Sequence, residues 1–196
     1  MRVAAALILG GKRNALVASH ILPSLVAQGF DEVFLVGQYE GDLQGATLLS
    51  VAPFLHNTQD ALIKRDVAAL AAHSDVLFYL ADDHRPYKST FGATLRSFYD
   101  THNWDVLVPQ RLTVRYENVI PLNTGFLEGY VAGHGMLVRK SLIQQVPWTT
   151  TTPRNPWWDV EHSKALRAQG AQFVLAPTLH IEDVEHLVNP KSEPWR

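Results

Sequence analysis

The chain has 196 residues, 46% of them hydrophobic, with 17 basic and 19 acidic side chains for a formal net charge of -2. That length suits one domain with a substantial core, and the charge offers no general attraction to nucleic acid or to an anionic membrane. Cysteine is absent, which excludes disulfides and thiolate zinc sites, and no run approaches the ~20 apolar residues of a membrane-spanning helix.

The elements follow one another in a clear order. Val3 to Leu9, VAAALIL, is a continuous apolar run. Gly-Gly-Lys-Arg follows it, with no small-residue cleavage site, so it reads as a first buried strand and the protein as cytoplasmic. Residues 14–29 carry Leu16, Val17, Leu22, Leu25 and Val26 near helical spacing, with Pro23 as a kink and Gly29 as the stop. Glu32 to Gly37 is a second strand. Gln59 to His73 is a helix with Leu62, Ile63, Val67 and Leu70 on one stripe, and it feeds the strand VLFYLA over 76–81. A helix over Thr90 to Thr101 leads into a strand over Trp104 to Pro109. Short apolar strands separated by helices predict an α/β fold with a mainly parallel central sheet covered on both faces.

The second half is less regular. Arg111 to Gly135 is rich in turn residues and reads as a loop or hairpin region. Residues 135–146 read as a strand entering a helix. Residues 155–170, NPWWDVEHSKALRAQG, form a helix with Asn155 as N-cap, Pro156 at N1, Arg167 in the last turn and Gly170 as stop. The strand AQFVLAP follows, then a polar tail with His180 and His186. One domain over 1–196 is expected, divided near residue 110 into a regular half and a less regular one.

The chemistry concentrates where VLFYLA meets Asp82, Asp83 and His84. In an open parallel sheet, ligands sit beyond the carboxyl ends of the strands. Adjacent carboxylates repel unless a cation joins them, and a divalent metal that also bridges substrate phosphates would do so. A nearby histidine tilts the choice from Mg²⁺ towards Mn²⁺. The plainer reading is a solvated turn in which one aspartate caps the backbone.

The order strand, ADDH, helix, strand, GHGMLVRKS, WWDVEHSKALRAQG, strand, distal histidine resembles the GT-A family of nucleotide-sugar glycosyltransferases. The likeness runs from Val3 to His186 and is one of motif order. It implies a GT-A, Rossmann-like α/β fold and a Mn²⁺ or Mg²⁺ cofactor on the donor diphosphate. YLADDHRPY looks like the family's acidic motif, with Ala81 where its first acid stands. Asp83 would then be the metal ligand and Asp82 a ribose partner or a support behind the metal. Gly10 and Gly11 sit where backbone approaches a nucleotide, and Arg65 resembles an arginine directed at the donor's base or phosphates. WWDVEHSKALRAQG resembles the family's acidic helix: Asp159 matches the general base of inverting members and Glu161 a further acid, while Trp158 stands where a glutamate is usual. Trp157 and Trp158 offer a stacking platform, His134 a contact to donor or acceptor. Either His186, which is favoured, or His180 would complete the metal site.

The implied activity is a metal-dependent hexosyltransferase-like reaction, with a nucleotide-diphosphate sugar as donor. The acceptor is a hydroxyl of a saccharide, small molecule, protein or modified DNA base, docking against 111–135 and the tail. Two rivals remain: a sugar-nucleotide nucleotidyltransferase, and a non-catalytic nucleotide- or sugar-binding relative.

Overall fold

The structure, a computed structural model, describes residues 1–53, 57–115, 118–122, 135–151 and 158–184, with the side chains of 57, 111–115 and 118–122 excepted. Its strands are β1 (Val3–Ile8), β2 (Glu32–Val36), β3 (Thr47–Leu49), β4 (Val76–Ala81), β5 (His84–Pro86), β6 (Val106–Arg115), β7 (Asn118–Leu122), β8 (Gly135–Arg139) and β9 (Phe173–Asp183). Its helices are α1 (Asn14–Leu16), α2 (Leu22–Val26), α3 (Asn57–Ala71), α4 (Phe91–Thr101), α5 (Lys140–Gln145) and α6 (Trp158–Ala168).

The strands form one sheet in the order β3-β2-β1-β4-β8-β6-β9-β5, with β7 paired to β6. The expectation of a mainly parallel sheet is corrected here. β1 pairs in parallel with β2 and β4, as β2 does with β3 and β6 with β9. The pairs β4–β8, β6–β8, β5–β9 and β6–β7 are antiparallel. The sheet is therefore mixed. The physical reason is β8, which inserts against the common direction between β4 and β6. An apolar run buried on both faces reads the same in either direction.

Side-chain alternation divides the interior into two cores. On one face Val3, Ala5, Leu7, Phe78 and Leu80 meet Leu16, Val17, Ile21, Leu25, Phe91 and Leu95 from the segments around α1, α2 and α4. On the other, Ala4, Ala6, Leu77 and Tyr79 meet Leu62, Ala68, Ala69, Leu142 and Leu166 from α3, α5 and α6. Period-two alternation puts the odd and even positions of β1 on opposite faces. Facing alanines on β1 and α3 let that helix lie close to the sheet.

The helical segment around Pro23 is irregular. The five residues Val17–Ile21 take π-helical geometry immediately before α2, and Pro23 then sits in the first turn of α2, where its missing N–H costs nothing. The chain leaves that helical segment through Gly29 at φ 64°. Two short strands escaped the sequence reading, β3 and β5. The 111–135 segment begins as a continuation of β6 that folds back as the hairpin to β7. β9 is also longer than AQFVLAP: its register to β6 shifts between Pro109 and Gln110, so that Ala176 and then His180 are the successive partners. Among the described residues no helix is long and apolar enough to cross a membrane.

Candidate active site at the end of β4

β4 ends at Ala81, and the chain turns through Asp82 and Asp83 into β5. Asp82 is buried at 5% exposure. Its Oδ2 accepts from the Gly10 amide at 2.6 Å and its Oδ1 from Arg13 Nη1 at 2.9 Å. A Cβ at Gly10 would lie 3.1 Å from Asp82 Oδ2, so the loop approaches this closely because the residue is glycine. Asp83 Oδ1 pairs with His84 Nδ1, and Asp83 Oδ2 lies 3.5 Å from Arg13 Nη2. Each of the four carboxylate oxygens thus faces a donor from the chain itself. The Asp83 carbonyl accepts from Val184 N at 2.8 Å, which seats the acidic turn beside the end of β9.

Three consecutive residues of α3 brace this region in three directions. Lys64, buried, donates from Nζ to the carbonyl of Leu9 at 2.6 Å and pairs with Asp60 one turn earlier. Arg65 places its guanidinium 4.7 Å from the Trp158 ring centroid and 5.3 Å from that of Trp148. Asp66 accepts from the backbone amides of Trp148 and Thr149 at 2.8 and 3.0 Å. Burial lowers the Arg65 guanidinium to about 10, an effect opposed by Tyr79, Asp159 and Asp66.

Asp159 and Glu161 occupy the first turn of α6, where the helix dipole favours carboxylates. Asp159 Oδ1 accepts from Val160 N at 2.9 Å. Lys64 reaches the end of β1 while Arg65 feels the charge of Asp159, so α3 links the acidic turn's neighbourhood to the start of α6. Behind Trp158, His162 stacks on Trp148 at 3.7 Å and donates from Nε2 to the carbonyl of Val146 at 3.0 Å. Burial brings His162 down to about 4, with Arg65 adding to the effect and the Val146 bond opposing it.

The expected site residues divide three ways. Gly10, Asp82 and Asp83 come together, and Gly11 (φ 82°) continues the same loop. Arg65, Trp158 and Asp159 form a second group, with Arg65 among indole rings where a donor contact was expected. His180 joins neither. Its carbonyl accepts from Tyr87 N, and it lines a small cavity with Lys88, Thr90, Phe91, Thr94 and Thr178. Burial and then Lys88 hold its imidazole below the ordinary range. Along β9 it stands four residues from Val184, about 13 Å of strand from the Asp83 contact. His134, Trp157 and His186, like Asn155 and Pro156, lie outside the described residues.

The sequence reading missed Arg13 and Lys64, and it noted His84 beside the acids without seeing that it pairs with Asp83. The signal for the first two was present as a cationic pair after a strand (Lys12-Arg13) and another inside an apolar helix (Lys64-Arg65). Among the described residues no group of three or more acidic and histidine side chains converges to hold an ion. Asp83, with its longer contact at Oδ2, still fits a cation that takes one protein carboxylate and fills its other positions from substrate phosphates and water.

No protein-family model matches the chain, and no curated protein matches it in sequence. Solved structures do match in shape. Against the crystal structure of S. aureus TarS 1-349 the TM-score is 0.67 at 14% identity, covering 95% of this chain and 61% of that one. A second TarS structure gives 0.68 at 15% identity, covering 94% and 37%. A197 from STIV gives 0.52 at 10% identity, covering 92% and 84%. The chain thus spans less than two thirds of the TarS chains it matches. At these identities the likeness is one of architecture: this chain shares the α/β fold of the TarS structures.

Proposed function

We propose that the protein transfers a sugar from a nucleotide-diphosphate donor to an acceptor hydroxyl, with inversion at the anomeric carbon. The observation carrying this reading is the Asp82–Asp83 turn at the end of a central strand, drawn against the Gly10 loop on a glycosyltransferase-like fold. The arrangement suits a ligand that is both anionic and close to backbone.

In the proposed step Asp159 takes the proton of the acceptor hydroxyl as that oxygen bonds to the anomeric carbon. The bond from that carbon to the diphosphate breaks, and the nucleoside diphosphate leaves with the electron pair. Asp83 would hold Mn²⁺ or Mg²⁺, with His186 proposed as its companion because it follows Val184 by two positions. Such a cation, when bound, neutralises charge growing on the leaving diphosphate. Gly10 and Gly11 receive the nucleotide, and Asp82 fixes their loop. Trp158, with Trp157 before it in sequence, is assigned the stacking surface for a sugar or base, and His134 and Glu161 are assigned contacts to donor or acceptor. Arg65 supports Trp158 from within, away from the donor.

A thermal-shift panel of nucleoside diphosphates, with and without Mn²⁺, tests this directly. One base is expected to raise Tm, and more so with Mn²⁺, because a ligand of the folded state stabilises it by mass action. No response to any of them sinks the donor assignment. Asp159→Asn is expected to lower transfer roughly 10²–10⁴-fold, the usual contribution of a general base, with Tm little changed. Release of pyrophosphate from a nucleoside triphosphate and a sugar phosphate would instead identify a nucleotidyltransferase.

A further inference from the structure

The acidic turn already contains a cation. Arg13 spans both carboxylates, one guanidinium nitrogen to each, at 2.9 Å to Asp82 and 3.5 Å to Asp83. Its side chain is 36% exposed, against 7% for Asp82 and 19% for Asp83. The guanidinium therefore covers the acids from the solvent side, the side from which a ligand arrives. Its backbone is fixed at the start of the helical segment, since Arg13 O accepts from Val17 N at 2.9 Å. Just before it, Gly11 sits at φ 82° and the exposed Gly10-Gly11-Lys12 loop offers backbone at the same place.

Resting on the reading above, we propose that Arg13 is a diphosphate-binding residue that serves as placeholder cation in the donor-free protein. It neutralises Asp82 and Asp83 until a diphosphate takes its guanidinium, and the exchange gives up its contact at Asp83 Oδ2 in favour of a divalent cation. The two contacts differ in the way this requires. Asp82 is also bonded to the Gly10 amide and stays with the fold, whereas the Asp83 contact is the longer one and the easier to break. Three positive charges beside two carboxylates repel one another, so a divalent cation and Arg13 share this turn comfortably only when an anion is present as well. A planar fork of donors that pairs with carboxylates pairs equally well with phosphate. Cation and diphosphate accordingly bind with positive coupling.

Two titrations on the full chain test this, neither depending on turnover. Mn²⁺ binding, followed by loss of the free-ion electron paramagnetic resonance signal, is compared for wild type and Arg13→Gln without any nucleotide. Inorganic pyrophosphate binding is measured calorimetrically in excess chelator for the same two proteins. Arg13→Gln is expected to bind Mn²⁺ about 5-fold or more tightly than wild type and pyrophosphate about 10-fold or more weakly, within the ordinary range of coupling between sites. Arg13→Lys, which keeps charge without the fork, falls between, and Asp83→Asn added to Arg13→Gln removes the gain in Mn²⁺ affinity. Movement of both affinities in the same direction, or no change in either, overturns the placeholder role while leaving the donor site intact. If neither protein binds Mn²⁺ or pyrophosphate at all, the donor reading falls with it.

Discussion

His162 illustrates how one residue's surroundings translate into a measurable pH dependence. Buried against Trp148 and donating to Val146, it is held neutral, with its imidazole brought from the usual 6.5 to about 4. The unfolded chain binds a proton below about pH 6.5 and the folded one only near 4, so stability declines as pH falls through that window and levels off beneath it. The shift corresponds to a loss on the order of 3 kcal/mol. Urea unfolding of wild type between pH 7 and 4 should show this decline, and His162→Gln should flatten it. An identical pH profile in the variant would mean that some other group carries the effect. None of this was visible in the sequence: a histidine in the middle of WWDVEHSKALRAQG looks like any helical surface residue until Trp148 is folded onto it.

Elements are held in place here by single close approaches as much as by broad apolar faces. α4 packs against the end of α2 at Gly92, where an added Cβ would come within 2.3 Å of the Gln28 carbonyl oxygen. Gln28 also accepts from Gly92 N at 3.1 Å and donates to the Lys88 carbonyl at 3.0 Å. Because the obstacle is backbone, it has no rotamer through which to escape. Gly92→Ala is expected to cost roughly 1–3 kcal/mol, the usual scale of overpacking, read as a fall in Tm of several degrees. An unchanged Tm would show that α4 shifts freely on its neighbour. Helix α4 itself was legible from residues 90–101, since its apolar spacing is local. The need for glycine at 92 was not, because the atom that forbids a side chain belongs to residue 28, 64 positions earlier.

At the scale of the molecule the sheet order decides cooperativity. β8 lies between β4 and β6, and β9 lies beyond β6 against β5, so strands from before and after residue 110 are interleaved. Arg65 adds a link from α3 to Trp148 and Trp158. A division at residue 110 into independently folding halves would leave each with unpaired strand edges. Unfolding is therefore expected as a single transition, with tryptophan fluorescence and far-ultraviolet circular dichroism coinciding across a urea titration. Two separated transitions would mean that the halves are distinct folding units after all.

What the amino-acid sequence determined alone was whatever depends on neighbours a few residues away. The apolar runs at 3–9, 32–37 and 76–81, the helices they alternate with and the acidic pair at the end of a buried strand all follow from local spacing. Strand direction did not, since a run buried on both faces carries no sign of which way its partner points; this is why β8 could turn the expected parallel sheet into a mixed one. Nor did the partners of charge. Arg13 meets Asp82 across 69 positions, Lys64 meets Leu9 across 55, and Asp83 meets Val184 only after β5 has paired with β9. Electrostatic partnerships act over a few ångströms of space whatever their separation along the chain, so only the tertiary structure could decide them.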